Sequence, residues 1–315
     1  MPKKLQTIYG GTWLLTVLML LIDWIWASRI GFRVESKSAM HTMRIILGVF
    51  AISGLILIIS RITYKDIARK LFYRNAAHSF MWVTVLVTFT HVCAVFQYLC
   101  VTTDFPLVNN SLISVDYALG FHWPDIYRWI KTHHLVRSAL DLAYASGAYQ
   151  LLAIPVILAI TLNSQDYAEF VVQFIVSATL VILISVPFPA ESAFVHFGVH
   201  DPNTVSTVSD FSLFRNGSTR ELAFTSVQGL VSFPSFHTIL ALCLAYSLRH
   251  VRFVFPIGIA MNLLMILSTP TQGGHYLSDV LAGLIAGVLV IYFVRWVILR
   301  SPPWLSNRPT TTQVV

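Results

Sequence analysis

The sequence predicts an all-α, polytopic transmembrane bundle of about eight spans, with its long loops gathered on one face. Three observations predict it. Only 11% of the 315 residues are charged, against about 25% in an ordinary soluble domain. Hydrophobic residues make up 56% of the chain, and they fall into runs long enough to cross a bilayer, which takes roughly 20 residues at about 1.5 Å each. Short polar and basic segments punctuate those runs. Inside lipid every backbone N–H and C=O must find a partner within its own segment, so the runs are read as helices.

In chain order, spans are expected near 8–27, 43–60, 79–100, 138–162, 168–188, 235–249, 253–270 and 276–299. The first is too long, and lacks the small-residue cleavage site, for a removed signal peptide. Lys3 and Lys4, the segment 61–78 (Arg61, Lys65, Arg69, Lys70, Arg74), Arg249 with Arg252, and the C-terminal Arg295, Arg300 and Arg308 all fall on one side of an even-numbered bundle. Lys and Arg mark the cytoplasmic side, although Arg29, Arg33, Lys37 and Arg44 count against this orientation. The other, extracytoplasmic side of the expected inner membrane then receives 101–137, 189–234 and 271–275. Phe121, Trp123, Tyr127 and Trp129 suit a membrane–water boundary and predict a helix lying flat near 124–135. Three parts follow: N-terminal helices over 1–104, a second membrane unit over 105–299 that holds the reactive motifs, and a polar, disordered tail over 300–315. The net charge of +7 sits in short loops, where it orients the protein and meets anionic lipid rather than nucleic acid. Cys93, Cys100 and Cys243 lie in or beside apolar runs, which argues against a disulfide scaffold or a cysteine metal site.

Two polar segments stand out. Ser232-Phe233-Pro234-Ser235-Phe236-His237 opens the sixth span, and Gln272-Gly273-Gly274-His275-Tyr276-Leu277-Ser278-Asp279 opens the eighth. A single helical hairpin between them returns both to one face, so His237 and His275 are expected to meet. Pro234 suits a first helical turn, and Ser235 with the free amides of that turn can face an anion. Gly273 and Gly274 permit a tight turn whose amides point at phosphate oxygens. His275 and Asp279 are spaced i, i+4 on one helix face. A carboxylate there holds one imidazole nitrogen protonated and leaves the other as a nucleophile. His237 is then placed as general acid.

These segments resemble the type 2 phosphatidic acid phosphatase superfamily of lipid phosphatases and phosphotransferases, in which Pro-Ser-x-His and Ser-Arg-x5-His-x3-Asp motifs adjoin. Pro234, Ser235 and His237 match the first motif; Ser268, His275 and Asp279 match the second. His275-Tyr276, Asp279 and Gly283 most resemble the inositolphosphotransferase branch, which includes inositol phosphorylceramide synthases. The resemblance spans roughly 105–290, including Asp116 and Gly120-Phe121-His122-Trp123-Pro124. It implies a metal-independent enzyme without cofactor, acting on a lipid phosphate through a phosphohistidine at His275. Asp279 would orient that ring, His237 would act as acid and Ser235 would bind phosphate. Thr269 replaces the second motif's Arg, and no Lys-x6-Arg-Pro motif occurs upstream. Arg220 and Arg215, ahead of Arg128 and Lys131, are the expected replacements for the missing cationic clamp.

Other readings stay open. His196 and His200 beside Asp201, with His133-His134, permit a metal-dependent hydrolase. Pro155 inside the fourth span permits a transporter with a broken helix. Asp23, His91, Asp141 and Gln150 fall in or near spans, where buried polar groups need a role; interhelical hydrogen bonding is expected of His91 and Gln150. Gly283 and Gly287 are expected to let helices approach closely.

Overall fold

The computed structural model describes residues 3–62, 67–161, 164–201 and 209–299. The expected tail over 300–315 lies outside the described residues, as do Lys65, Arg300 and Arg308. Three long helices open the chain: α1 (Lys3–Ile30), α2 (Ser36–Arg61) and α3 (Ile67–Val101). Two short ones follow, α4 (Asn109–Ala118) and α5 (Trp123–Thr132), and then α6 (His134–Ile160) and α7 (Ser164–Ser185). After α8 (Ala193–His196) and α9 (Phe211–Arg215), the chain ends in α10 (Phe236–Ser247), α11 (Phe255–Gln272) and α12 (Leu277–Leu299). Among the described residues six of these helices are long and apolar enough to cross a membrane: α1, α2, α3, α6, α7 and α12. The shorter α10 and α11 occupy the places of the sixth and seventh expected spans.

Several boundaries differ from expectation for identifiable reasons. The basic stretch before the third span is no loop where it is described: Arg69, Lys70 and Arg74 belong to α3, a 35-residue helix. Neither Gly nor Pro interrupts 67–101, so nothing stops the helix at the lipid boundary. α5 occupies the place of the helix expected near 124–135, and it ends at Thr132, short of the expected bound, with α6 beginning again at His134. α6 runs unbroken through Pro155, as membrane helices tolerate when neighbours satisfy the freed carbonyl. The all-helical expectation misses one small element. β1 (Arg33–Val34) pairs in parallel with β2 (Glu221–Leu222), stitching the α1–α2 connection to the segment before α10.

The main core gathers Trp82, Phe89, Phe170, Ile175, Leu244 and Met265 from α3, α7, α10 and α11. A second cluster around Tyr98, Phe214 and Leu222 seats the β1–β2 seam. A third joins Leu112, Trp123, Phe194 and Tyr276, so α4, α5 and α8 form a cap over the start of α12. Leu14, Leu47, Leu152 and Ile285 remain exposed on the outside of the bundle, as lipid-facing side chains do.

α12 packs against α10 through its glycines. A Cβ on Gly283 would stand 2.7 Å from the Ser235 carbonyl oxygen, and one on Gly287 would stand 2.7 Å from Leu242 Cδ1. This contact sets the distance between the two motif-bearing helices. Gln150 joins α6 to α11 by accepting from Asn262 Nδ2 at 2.7 Å. His91 bonds its own helix instead, with Nδ1 2.8 Å from the Val87 carbonyl.

Candidate active site

The hairpin of α10 and α11 returns the chain to the face from which it left, and the two imidazoles meet there. The ring centroids of His237 and His275 lie 6.4 Å apart, with their planes at 63°. Both rings line one cavity of about 510 Å³.

His275 sits in the turn between α11 and α12 and is buried. Its Nδ1 lies 3.0 Å from the Ser232 carbonyl oxygen and 3.4 Å from Asp279 Oδ2. A carbonyl only accepts, so Nδ1 carries the hydrogen and Nε2 keeps its lone pair. Asp279 was expected to hold one ring nitrogen protonated; the nearer acceptor of that hydrogen is the Ser232 carbonyl. Asp279 Oδ2 also accepts from the Tyr276 amide at 3.0 Å, which caps the first turn of α12. Its Oδ1 is buried without a hydrogen-bond partner among the described residues.

The turn itself depends on Gly273 and Gly274. Gly274 has φ +68°, and a Cβ there would fall 2.2 Å from Ser192 Oγ, so both conformation and space demand glycine. Its carbonyl accepts from the Ala193 amide and from Ser192 Oγ. Gly273 lines the cavity, but its amide donates to the Thr269 carbonyl at 3.0 Å. That amide ends α11, where the sequence reading aimed it at phosphate.

His237 lies in the first turn of α10. Tyr144 from α6 stacks on it, with centroids 4.5 Å apart at 27°, and its hydroxyl is 3.3 Å from His237 Nδ1. Ser235 does not face the cavity. It is fully buried and is the N-cap of α10, its Oγ accepting from the Thr238 amide at 3.4 Å and from Thr238 Oγ1 at 3.1 Å. Serine is a preferred N-cap because its oxygen satisfies an orphan amide. Pro234 accordingly precedes the cap and stands outside the first helical turn.

The expected cationic clamp lies elsewhere. Arg215 donates to the backbone carbonyls of Thr103 and Phe105. Arg220 donates to the Phe214 carbonyl at 3.0 Å and lies against Gly217. Both guanidiniums are consumed in fixing the α9 loop. Arg128 pairs with Asp125, and Lys131 lies 4.0 Å from Asp201. No lysine or arginine is among the described residues that line the cavity.

The histidines considered for a metal do not converge. His196 and His200 are exposed, and Asp201 is engaged by Arg137 at 2.9 Å and by the Tyr127 hydroxyl. Among the described residues no three His, Cys, Asp or Glu side chains gather as a metal site requires.

Two residues of the site carry no recognisable signal in the sequence. Tyr144 sits in an apolar run with no motif around it. Asp116 sits in α4 with no motif that ties it to α12; its carboxylate accepts from the Leu277 and Ser278 amides at 2.8 Å each, capping α12 from α4. A free acceptor opposite an uncapped helix start is a signal only once the two are known to be neighbours.

Compared with known proteins, residues 110–293 match the model of the PAP2 superfamily, more than half of the chain. Neither curated proteins nor solved structures gave a match.

Proposed function

This chain belongs to the PAP2 superfamily, whose members are phosphatases and phosphotransferases, and from that premise we propose that it moves the phosphoryl group of a lipid through His275. The observation that carries the reading is the pair of imidazoles 6.4 Å apart on one cavity. An in-line transfer needs a near-attack approach of about 3–3.5 Å to phosphorus from one ring and a hydrogen bond of about 2.6–3.2 Å to the departing oxygen from the other, which requires two imidazoles on one cavity as these are.

In the first step the Nε2 lone pair of His275 forms a bond to phosphorus, and the P–O bond to the leaving group breaks. His237 gives its proton to the departing oxygen. Nδ1–H stays directed at the Ser232 carbonyl, and the Asp279 carboxylate offsets the positive charge that builds on the ring. In the second step water or an alcohol attacks phosphorus, the P–N bond breaks, and His237 takes the incoming proton. Water makes the enzyme a lipid phosphatase. An alcohol makes it a phosphotransferase, the outcome favoured by the likeness of the His275–Gly283 stretch to inositolphosphotransferases. No arginine or lysine lines the cavity among the described residues, so stabilisation of the charge on the departing oxygen is asked of the hydrogen bond from His237. The site opens toward the extracytoplasmic side in the orientation that the basic segments favour.

The test is reconstitution in liposomes with phosphatidic acid, a polyprenyl diphosphate, or a phosphodiester lipid plus an alcohol acceptor. Turnover is expected to persist in EDTA, with an acid-labile phosphoenzyme in the wild type that His275→Ala lacks. His237→Ala is expected to lose about 10²–10⁴-fold. Full activity in His275→Ala would remove the nucleophile and the reading with it.

A further inference from the structure

The end of the bundle remote from the histidines carries a surplus of positive charge. Its only carboxylates among the described residues are Asp166 and Glu169, in the first two turns of α7. Both are buried, and Arg249 holds the two at 2.7 Å each. His250 adds a contact to Asp166 at 2.7 Å. Both acids are therefore spent inside the protein. Arg252, in the turn between α10 and α11, and Arg295, near the end of α12, are exposed. Neither meets a carboxylate among the described residues. Arg252 lies over the ring of Phe253 instead, 5.6 Å from its centroid. Arg295 is aimed. Its Nη1 donates to the Tyr246 hydroxyl at 3.1 Å, and the Tyr246 ring lies beneath the Arg249 guanidinium, whose carbon is 4.0 Å from the ring centroid. Asp166 and Glu169 thus fix Arg249, Arg249 covers Tyr246, and Tyr246 orients Arg295.

A phenol orients a guanidinium without neutralising it, and four of the five N–H donors of Arg295 remain for another acceptor. Depth says where that acceptor lies. From Leu277, the start of α12, to Arg295 is roughly 27 Å at about 1.5 Å per residue, close to the roughly 30 Å of a hydrocarbon core. Tyr292 and Trp296, 69% and 51% exposed, bracket Arg295 on α12, and amphipathic rings of this kind settle at headgroup level. A lipid phosphate carries negative charge at that level, and its oxygens match the paired N–H groups of a guanidinium. Free phosphate has the charge but no hydrocarbon to rest on the exposed rings. We propose that Arg295, aimed by Tyr246 and with Arg252 on the rim, seats the phosphate of an anionic phospholipid in the leaflet opposite the histidines. This lipid is distinct from the substrate, because the length of α12 separates the two sites. It also bears on α10 and α12 together, since Tyr246 belongs to one and Arg295 to the other.

The test uses the full chain carrying His275→Ala, so that turnover does not consume lipid, in nanodiscs of phosphatidylcholine with increasing phosphatidylglycerol. Retained phosphatidylglycerol is counted by native mass spectrometry, and the unfolding temperature is followed alongside. Phosphatidylglycerol is expected to be retained and to raise the unfolding temperature; glycerol phosphate in solution is expected to do neither. Arg295→Gln should weaken retention about fivefold, the scale of one basic residue at an anionic surface, and Arg252→Gln by no more than that. Tyr246→Phe changes no charge, so its expected loss of about two- to threefold, the low end for one hydrogen bond, separates an aimed guanidinium from a diffuse field. Lys70→Gln, exposed at the same end, should weaken retention less than Arg295→Gln. Unchanged retention in Arg295→Gln would overturn the proposal. So would equal losses in Lys70→Gln and Arg295→Gln with none in Tyr246→Phe, which would leave only diffuse attraction. Protection by glycerol phosphate equal to that by the lipid would overturn it as well. Should Arg295→Gln unfold in phosphatidylcholine alone, Tyr246→Phe decides: wild-type retention there would reject the seat.

Discussion

His275 is held by two acceptors of unequal reach. The Ser232 carbonyl at 3.0 Å fixes which nitrogen carries hydrogen, and Asp279 at 3.4 Å supplies charge more than direction. On the other imidazole the supporting group is Tyr144, stacked and within hydrogen-bond distance of Nδ1. Tyr144→Phe keeps the stack and removes one hydrogen bond of about 0.5–1.5 kcal/mol. Its kcat is expected to fall about 2–10-fold, with a loss of stability in thermal unfolding no greater than about 1.5 kcal/mol; a larger loss of stability would mean that the hydroxyl serves packing instead. Asp116→Ala leaves the Leu277 and Ser278 amides without their acceptor, and is expected to lower stability by about 1–3 kcal/mol, read by thermal unfolding in detergent. Asp116→Asn retains an acceptor oxygen and should lose less. At this scale the sequence shows the two histidines and Asp279, because their spacing has chemical meaning by itself. It does not show Tyr144 or the capping role of Ser235, since an aromatic residue in an apolar run and a serine before a helix each have ordinary structural roles.

Between elements the decisive contact is that of α10 with α12. A Cβ on Gly283 meets backbone, the Ser235 carbonyl, whereas one on Gly287 meets first the movable end of Leu242. Gly283→Val therefore forces the helices apart, and overpacking of this kind costs about 1–3 kcal/mol. Because Ser235 caps the helix that carries His237, activity is expected to fall further in Gly283→Val than in Gly287→Ala. Equal activity loss in the two would show that the helix spacing does not govern the imidazole pair. The glycine spacing was readable as close packing, but its partner was not, because four-residue periodicity names a face and not the neighbour. Helix lengths were readable only within lipid. α3 runs past its expected start because the composition that marks a membrane boundary, Arg69, Lys70 and Arg74, is also good helix-forming composition.

Across the whole molecule, a second group of buried charges lies at the end of the bundle away from the histidines. Arg249, following α10, binds Asp166 and Glu169 of α7 at 2.7 Å each, and His250 Nδ1 lies 2.7 Å from Asp166. Arg249 was read from sequence as an orientation signal; its structural work is to neutralise two buried carboxylates. Arg249→Ala strands those charges, and a loss of about 3–5 kcal/mol is expected, measured by thermal unfolding. Asp23 presents the reverse case. Both its carboxylate oxygens are buried without hydrogen-bond partners among the described residues, so Asp23→Leu is expected to raise the unfolding temperature. The helical bundle was legible because apolar run length translates directly into spans. The β1–β2 pairing was not, since two residues on each side leave no periodic trace. That seam also fixes what a minimal protein would need. Trimming the chain to its matched 110–293 stretch would remove β1 and α3 together. The segment leading to Ser232 would lose its β1 partner, and the hollow behind the imidazoles would lose its α3 wall.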